Sequence, residues 1–139
     1  GPQGADTGLV DRRLGPLHVP LDQLQTGAQG LVPRLLGHPL EVLQGIYTIL
    51  AKGGVFSMVD IAARTDLMEN TDHPMGPFLY TVSLMHCMPV GLVDGGQGLG
   101  MMWGQEKAVQ MLRKAGFQEV QVKAIPDDAF NLHYFCRKV

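Results

Sequence analysis

"QEKAVQMLRKAGFQEVQVKAI", residues 105–125, decides the fold class, because two different periods meet inside it. Ala108, Met111, Leu112 and Ala115 recur at i, i+3, i+4 and i+7, which is one face of a helix. Gly116 stops that helix, and Phe117 is placed to fold back on Leu112 in a Schellman arrangement. From Glu119 the period changes to two. Val120 and Val122 then share one face of a predicted strand over 119–125. An amphipathic helix running straight into a half-buried strand is the repeating unit of an α/β architecture.

Toward the C-terminus, PDDAFN (126–131) reads as a turn, and LHYFCRK (132–138) alternates again. Leu132, Tyr134 and Cys136 fall on one face, His133, Phe135 and Arg137 on the other. The two strands fit an antiparallel pair. Toward the N-terminus, VFSMVDI (55–61) is apolar on both faces, with only Ser57 and Asp60 polar. That pattern predicts a strand covered on both sides, as at the centre of a parallel sheet. Asp60 stands at its carboxyl end, where open α/β sheets bind ligands. Before the strand, HPLEVLQGIYTILAKGG (38–54) predicts a helix with Pro39 and Glu41 in its first turn. Leu43, Ile46, Tyr47 and Leu50 form its stripe, Lys52 lies in the last turn, and Gly53 ends it.

Between strand and last helix, residues 62–103 form a long connection rich in Met, Gly and Pro. A connection of this length inside one domain is usually a lid or a binding insert. Within it PFLYTVSLMHCM (77–88) predicts a helix that stops before Pro89, with Leu79, Val82, Ser83 and His86 on one face. DGGQGLGMMWG (94–104) follows. Read alone, its G-x-G-x-G looks like the loop that cradles a nucleotide-like cofactor. Three features oppose that reading. PVGLVD, with Pro89 and Gly91, is a poor strand. MMWG separates the loop from the helix that should open on it. Asp127 and Asp128 stand about 27 residues past Gly100, where an acidic partner is expected after about 20.

The bulk numbers bound the rest. The chain has 139 residues, 45% hydrophobic and 17% charged, with net charge −2. One modest domain is expected. No basic excess points to nucleic acid, no apolar run approaches the roughly 18 residues of a membrane span, and no signal peptide opens the chain. Cys87 and Cys136 read as free thiols of a reducing, cytoplasmic setting. Residues 1–37 hold no sustained period, so an irregular leader is expected there, with the ordered domain over 38–139.

Four phrases then point to a family. ILAKGGVFSMVDI resembles the "LKPGG" turn and fifth strand of class I S-adenosylmethionine-dependent methyltransferases. MLRKAGFQEVQV and LHYFCRK resemble their closing helix and their sixth and seventh strands. PFLYTVSLMHCMPVGLVDGGQGLGMMWG is similar to the insert of a small-molecule subgroup with an "LYxxSxxHCM…GGxGLGxxWG" phrase. The resemblance covers residues 38–139. It implies an α/β fold containing part of a Rossmann-like sheet: the last three strands, two or three helices and the long insert. It moves GGQGLG away from the family's cofactor loop, which follows the first strand, and onto the substrate side or a flexible lid.

The resemblance also implies that the family's first four strands, which carry the glycine loop and the ribose-binding acid, would precede His38. A single βαβ unit needs about 30 residues, so residues 1–37 cannot hold them. The expectation is the C-terminal part of a small-molecule methyltransferase, with its S-adenosylmethionine site largely missing and no activity alone. The alternative is a non-catalytic truncated isoform or relict domain acting through protein contacts. Strand 55–61 would lack a neighbour, and an exposed edge favours self-association.

Methyl transfer needs a positioned nucleophile and sometimes a base. His86 is the candidate base, since imidazole titrates near neutral pH. Asp60, Tyr80, His86 and Trp103 are the candidate substrate-binding residues, the two aromatics as pocket walls. No metal site is expected. His73, His86, Cys87, His133 and Cys136 match no zinc spacing, and His133 and Cys136 point to opposite faces of a strand.

Overall fold

Residues 37–139 are described by the computed structural model. Helix α1 (Pro39–Ile49) leads to strand β1 (Val55–Ile61). The insert follows, with helices α2 (Gly76–Val82) and α3 (Met88–Leu92). Helix α4 (Gln105–Ala115), strand β2 (Glu119–Ile125) and strand β3 (Asp128–Arg137) close the domain. The expected leader lies outside the described residues, save for its last position. Gly37 is buried and belongs to the packed domain, its carbonyl accepting from the Gln97 N–H at 2.7 Å.

The fold is mixed α/β with a three-stranded antiparallel sheet of order β1–β3–β2. Since β1 and β2 both run opposite to β3, they run parallel to each other, and α4 lies on the connection between them. One face of the sheet is covered. Leu43 of α1, Ala108, Met111, Leu112 and Ala115 of α4, and Phe117, Tyr134 and Cys136 form the core. The predicted stripe of α4 is buried at all four positions. Its Schellman stop is made as expected, by Phe117 N–H on Leu112 O and Gly116 N–H on Arg113 O, both at 3.1 Å. Phe117 is fully buried, meeting Tyr47 edge-on with ring centroids 5.1 Å apart and stacking on Phe56 at 5.8 Å. Burying such a side chain contributes about 1.5–3 kcal/mol.

The other face of the sheet is bare among the described residues, which corrects the two-sided reading of β1. Val55 and Val59 are 47% and 56% exposed, and the hydrogen-bonded neighbour of β1 is antiparallel. The reason is that α1 and α4 both pack on the same face. The outer edge of β1 is open as well. Lys138 N–H bonds Gly54 O and Ala62 N–H bonds Phe130 O, so the even-numbered residues between them turn their backbone groups toward β3. Those of Val55, Ser57 and Val59 point to the far edge, which has no neighbouring strand among the described residues. Ile61 closes the row, its N–H donating to Asp60 Oδ1 at 2.8 Å and its carbonyl accepting from Ala63.

Three further expectations change. Helix α1 ends at Ile49, with Lys52 beyond it and Gly53 in the following turn. Its terminal carbonyls are met instead by Lys138 Nζ, 2.7 Å from Tyr47 O and 2.8 Å from Leu50 O, where a cation also suits the helix dipole. The insert helix does not stop before Pro89. A π-helical turn over Ser83–Cys87 widens the ladder, and α3 continues with Pro89 in its first turn. Proline lacks an N–H and crowds the carbonyl four residues back, so a widened turn ahead of it absorbs both defects. Finally, β3 begins at Asp128. The reversal is tighter than PDDAFN suggested, with Asp127 at φ 62° and a register shift between Ala124 and Ile125.

Candidate functional site

The carboxyl end of β1 opens into a cavity of about 190 Å³. Leu43 of α1 and Met58 of β1 form one side, and Leu99, Met101 and Trp103 of the insert form the other. Among the described residues, Asp60 is the only ionisable group in its lining. The pleat explains why. Phe56, Met58 and Asp60 point to the covered face, so the last of them meets the insert as it crosses the strand end.

Asp60 ties the two halves of the site together. Its Oδ2 accepts from Trp103 Nε1–H, and its Oδ1 holds the Ile61 N–H. Burial pushes its carboxyl above the usual carboxylate range, and the bonds from Ile61 and Trp103 offset only part of that rise. Among the described residues no Lys, Arg or His pairs with it; Arg64 is engaged by Glu69 at 3.0 Å and by Glu106 at 2.6 Å. Tyr134 on β3 is fully buried, and its hydroxyl has no hydrogen-bond partner among the described residues. Burial, and then the charges of Asp60 and Glu106, raise its pKa far above that of a free phenol.

The insert is held by polar ties between stretches distant in sequence. Thr65 Oγ1 donates to Trp103 O and accepts from Lys107 N–H, each at 3.0 Å, while Thr65 N–H donates to Glu106 Oε2 at 2.8 Å. Burial would raise the pKa of Glu106, but the bonds from Thr65 and the charge of Arg64 outweigh it and bring a net fall. Buried Asn70 accepts from Arg64 N–H, and its two amide hydrogens are shared among Arg64 O, Asp66 O and Tyr80 Oη.

The glycine-rich segment turns its N–H groups inward. Those of Gly96, Gln97, Gly98 and Met101 are taken by Val93 O, Gly37 O, Gly91 O and Ser83 Oγ. A loop whose donors are engaged by its own chain is not arranged as a phosphate cradle. Two of its glycines answer to packing. Gly100 (φ 68°) and Gly104 (φ 84°) both need the left-handed region, and a Cβ would strike Ser83 at the first and the Arg64–Thr65 backbone at the second. Helix α4 starts at Gln105, after MMWG, as the sequence suggested.

Of the four substrate-side candidates, the structure joins Asp60 and Trp103 at the cavity. Tyr80 belongs instead to the Asn70 cluster. His86 is exposed in the π-helical turn and takes no part in the cavity lining. Sequence reasoning missed Leu99 and Met101. Their signal was the alternation of apolar residues with glycines, which lets Leu99 and Met101 line the cavity while buried Gly98 and Gly100 take the tight approaches. Missed too was the buried hydroxyl of Tyr134, for which a strand pattern gives no sign.

A shallower hollow of about 140 Å³ lies on the bare face, beside Phe135. Among its charged rim residues, Arg137 and Glu119 face each other at 3.6 Å. Cys87 and Cys136 are free and buried, and burial pushes the Cys136 thiol up to about 11. Among the described residues no cluster of three His, Cys, Asp or Glu side chains is placed to hold a metal, and no helix is long and apolar enough to cross a membrane. No family model and no curated protein sequence matches this chain.

Proposed function

We propose that this chain is the substrate-side, C-terminal part of a class I S-adenosylmethionine-dependent methyltransferase acting on a small molecule. The observation that carries the proposal is the cavity at the carboxyl end of β1, walled by the glycine-rich insert. Open α/β sheets bind their ligands outside the carboxyl ends of parallel strands, and β1 and β2 are such a pair, with β3 between them. Open backbone groups at Val55, Ser57 and Val59 are consistent with further strands of a larger sheet adding to β1. Asp60 and Trp103 are the substrate-binding residues of this reading. S-adenosylmethionine would supply the methyl group, and most of its site would lie on strands outside this chain. His86 is given no catalytic role, because it stands apart from the cavity.

Isothermal titration of the chain with S-adenosylmethionine tests the incompleteness. No saturable binding at micromolar concentration is expected, and micromolar binding would overturn it. The full-length transcript tests the family. Upstream of Gly1 it should encode a strand, a glycine loop and an acidic residue; a transcript without them defeats the proposal.

The bare sheet face and open edge favour a second reading, a non-catalytic truncated isoform or relict domain that acts through protein contacts. Val55, Val59 and Phe135 are exposed there, and uncovered edges recruit partners. Sedimentation should then show concentration-dependent self-association. A monomer at high concentration with a cooperative, high melting transition counts against it.

A further inference from the structure

We infer that the cavity beside Asp60 and Trp103 selects a small organic cation, an ammonium carried on an apolar body about the size of a benzene ring. As a statement about a methyl acceptor this rests on the methyltransferase reading; as a statement about binding it does not.

The chemistry of the lining leads to the ligand class. A cavity of about 190 Å³ holds one small molecule, given that roughly 150 Å³ suffices for benzene. Leu43, Met58, Leu99 and Met101 offer it no polar group beyond the backbone, so the body of the ligand must be apolar. Asp60 is the exception. An ionised carboxylate only accepts, with about four lone-pair sites, and Ile61 and Trp103 occupy two of them. Buried charges are normally paired, yet no cationic side chain reaches Asp60 among the described residues. A group that donates and carries positive charge supplies what the site lacks. The indole of Trp103 lines the same cavity, and an aromatic ring beside a carboxylate is the pair of groups that recognises an ammonium. An anion would meet the Asp60 charge, and a neutral alcohol would leave that charge uncompensated.

Trp103 is the sole tryptophan of the chain, so its fluorescence reports on this cavity directly. Benzylammonium, benzyl alcohol and benzoate share a ring and differ in the charge of the attached group. Titrated into the full chain at neutral pH without cofactor, benzylammonium should shift the Trp103 emission saturably. Its affinity should exceed that of benzyl alcohol by about tenfold. Benzoate should leave the emission unchanged. Asp60→Asn should abolish the preference, bringing benzylammonium to the level of the alcohol. Equal affinities for ammonium and alcohol overturn the charge selection, and so does a preference that survives Asp60→Asn. No response to any of the three overturns the site itself. If Asp60→Asn fails to fold, the ranking in the unaltered protein decides alone. Because S-adenosylmethionine is absent throughout, a failed ranking is distinct from failure of the methyltransferase reading.

Discussion

The α4–β2–β3 region and the insert are held together by different physics. The first is closed by apolar side chains: Leu112, Phe117, Tyr134 and Cys136 are fully buried, and their periods of 3.6 and 2 are written locally. The second exposes Leu67, Met68, Phe78, Leu84 and Met85, each at 59% or more, and is closed by polar ties and close backbone approaches. Asn70 engages four groups, Thr65 joins the Trp103 turn to α4, and Gly104 lies against Arg64 and Thr65. Hydrophobic closure is non-directional and tolerates a near miss, whereas closure through hydrogen bonds and glycines fixes a shape. The cavity lies where the insert meets α1 and β1, whose Leu43 and Met58 pack with that apolar core, so one of its walls is set by packing and the other by geometry.

The sharpest way to test that contrast is to remove the centre of the packed region. Phe117→Ala deletes the ring on which Tyr47 and Phe56 pack. A loss of about 3–5 kcal/mol is expected in urea unfolding, spread over the whole described domain. A loss below about 1 kcal/mol would show that the core does not turn on this residue.

A smaller and more local effect is expected from Gly104→Ala. The substitution forces an alanine to φ 84° and ψ 158°, a conformation open essentially to glycine that costs about 1–3 kcal/mol, and drives a methyl into the Arg64–Thr65 backbone. Together a loss of about 2–3 kcal/mol is expected. Hydrogen exchange should show it first at the Thr65, Met101 and Lys107 amides, while the amides of β2 and β3 keep their protection. Uniform loss of protection would erase the distinction between the two regions.

The same contrast explains what the sequence made legible. Helix α4, its Gly116 stop and strand β2 were readable because every signal lies within a few residues of the feature it controls. The end of α1 was misread because its partner is Lys138, some 90 residues away, while nearby Lys52 looked equally suitable. Pro89 misled in another way: a stop signal is overridden when a π-helical turn precedes it. In β1 the apolar residues on both faces suggested two covers, but only one is present among the described residues. Asp60 and Trp103 were each identifiable, the first by its place at a strand end. Their hydrogen bond was not, since 43 residues separate them and no period links a strand to an insert.

The smallest expected effect has an unusual sign and lies where the two regions meet. Tyr134 is fully buried on β3, opposite Met58 of β1 and Val122 of β2, and its hydroxyl lacks a partner among the described residues. A buried hydroxyl without a hydrogen bond costs about 1–3 kcal/mol, so removing it should not destabilise the fold. Tyr134→Phe keeps the ring and its packing. It is expected to leave stability unchanged or raise it by up to about 1 kcal/mol, where most core substitutions lower it. The hydroxyl also feels the charges of Asp60 and Glu106, one at the cavity and the other tied to the insert through Thr65. If Tyr134→Phe instead lowers stability by more than about 1 kcal/mol, the hydroxyl has a partner at this junction. A packed wall and a geometric wall would then share a polar contact, and the division between them would hold only away from the cavity.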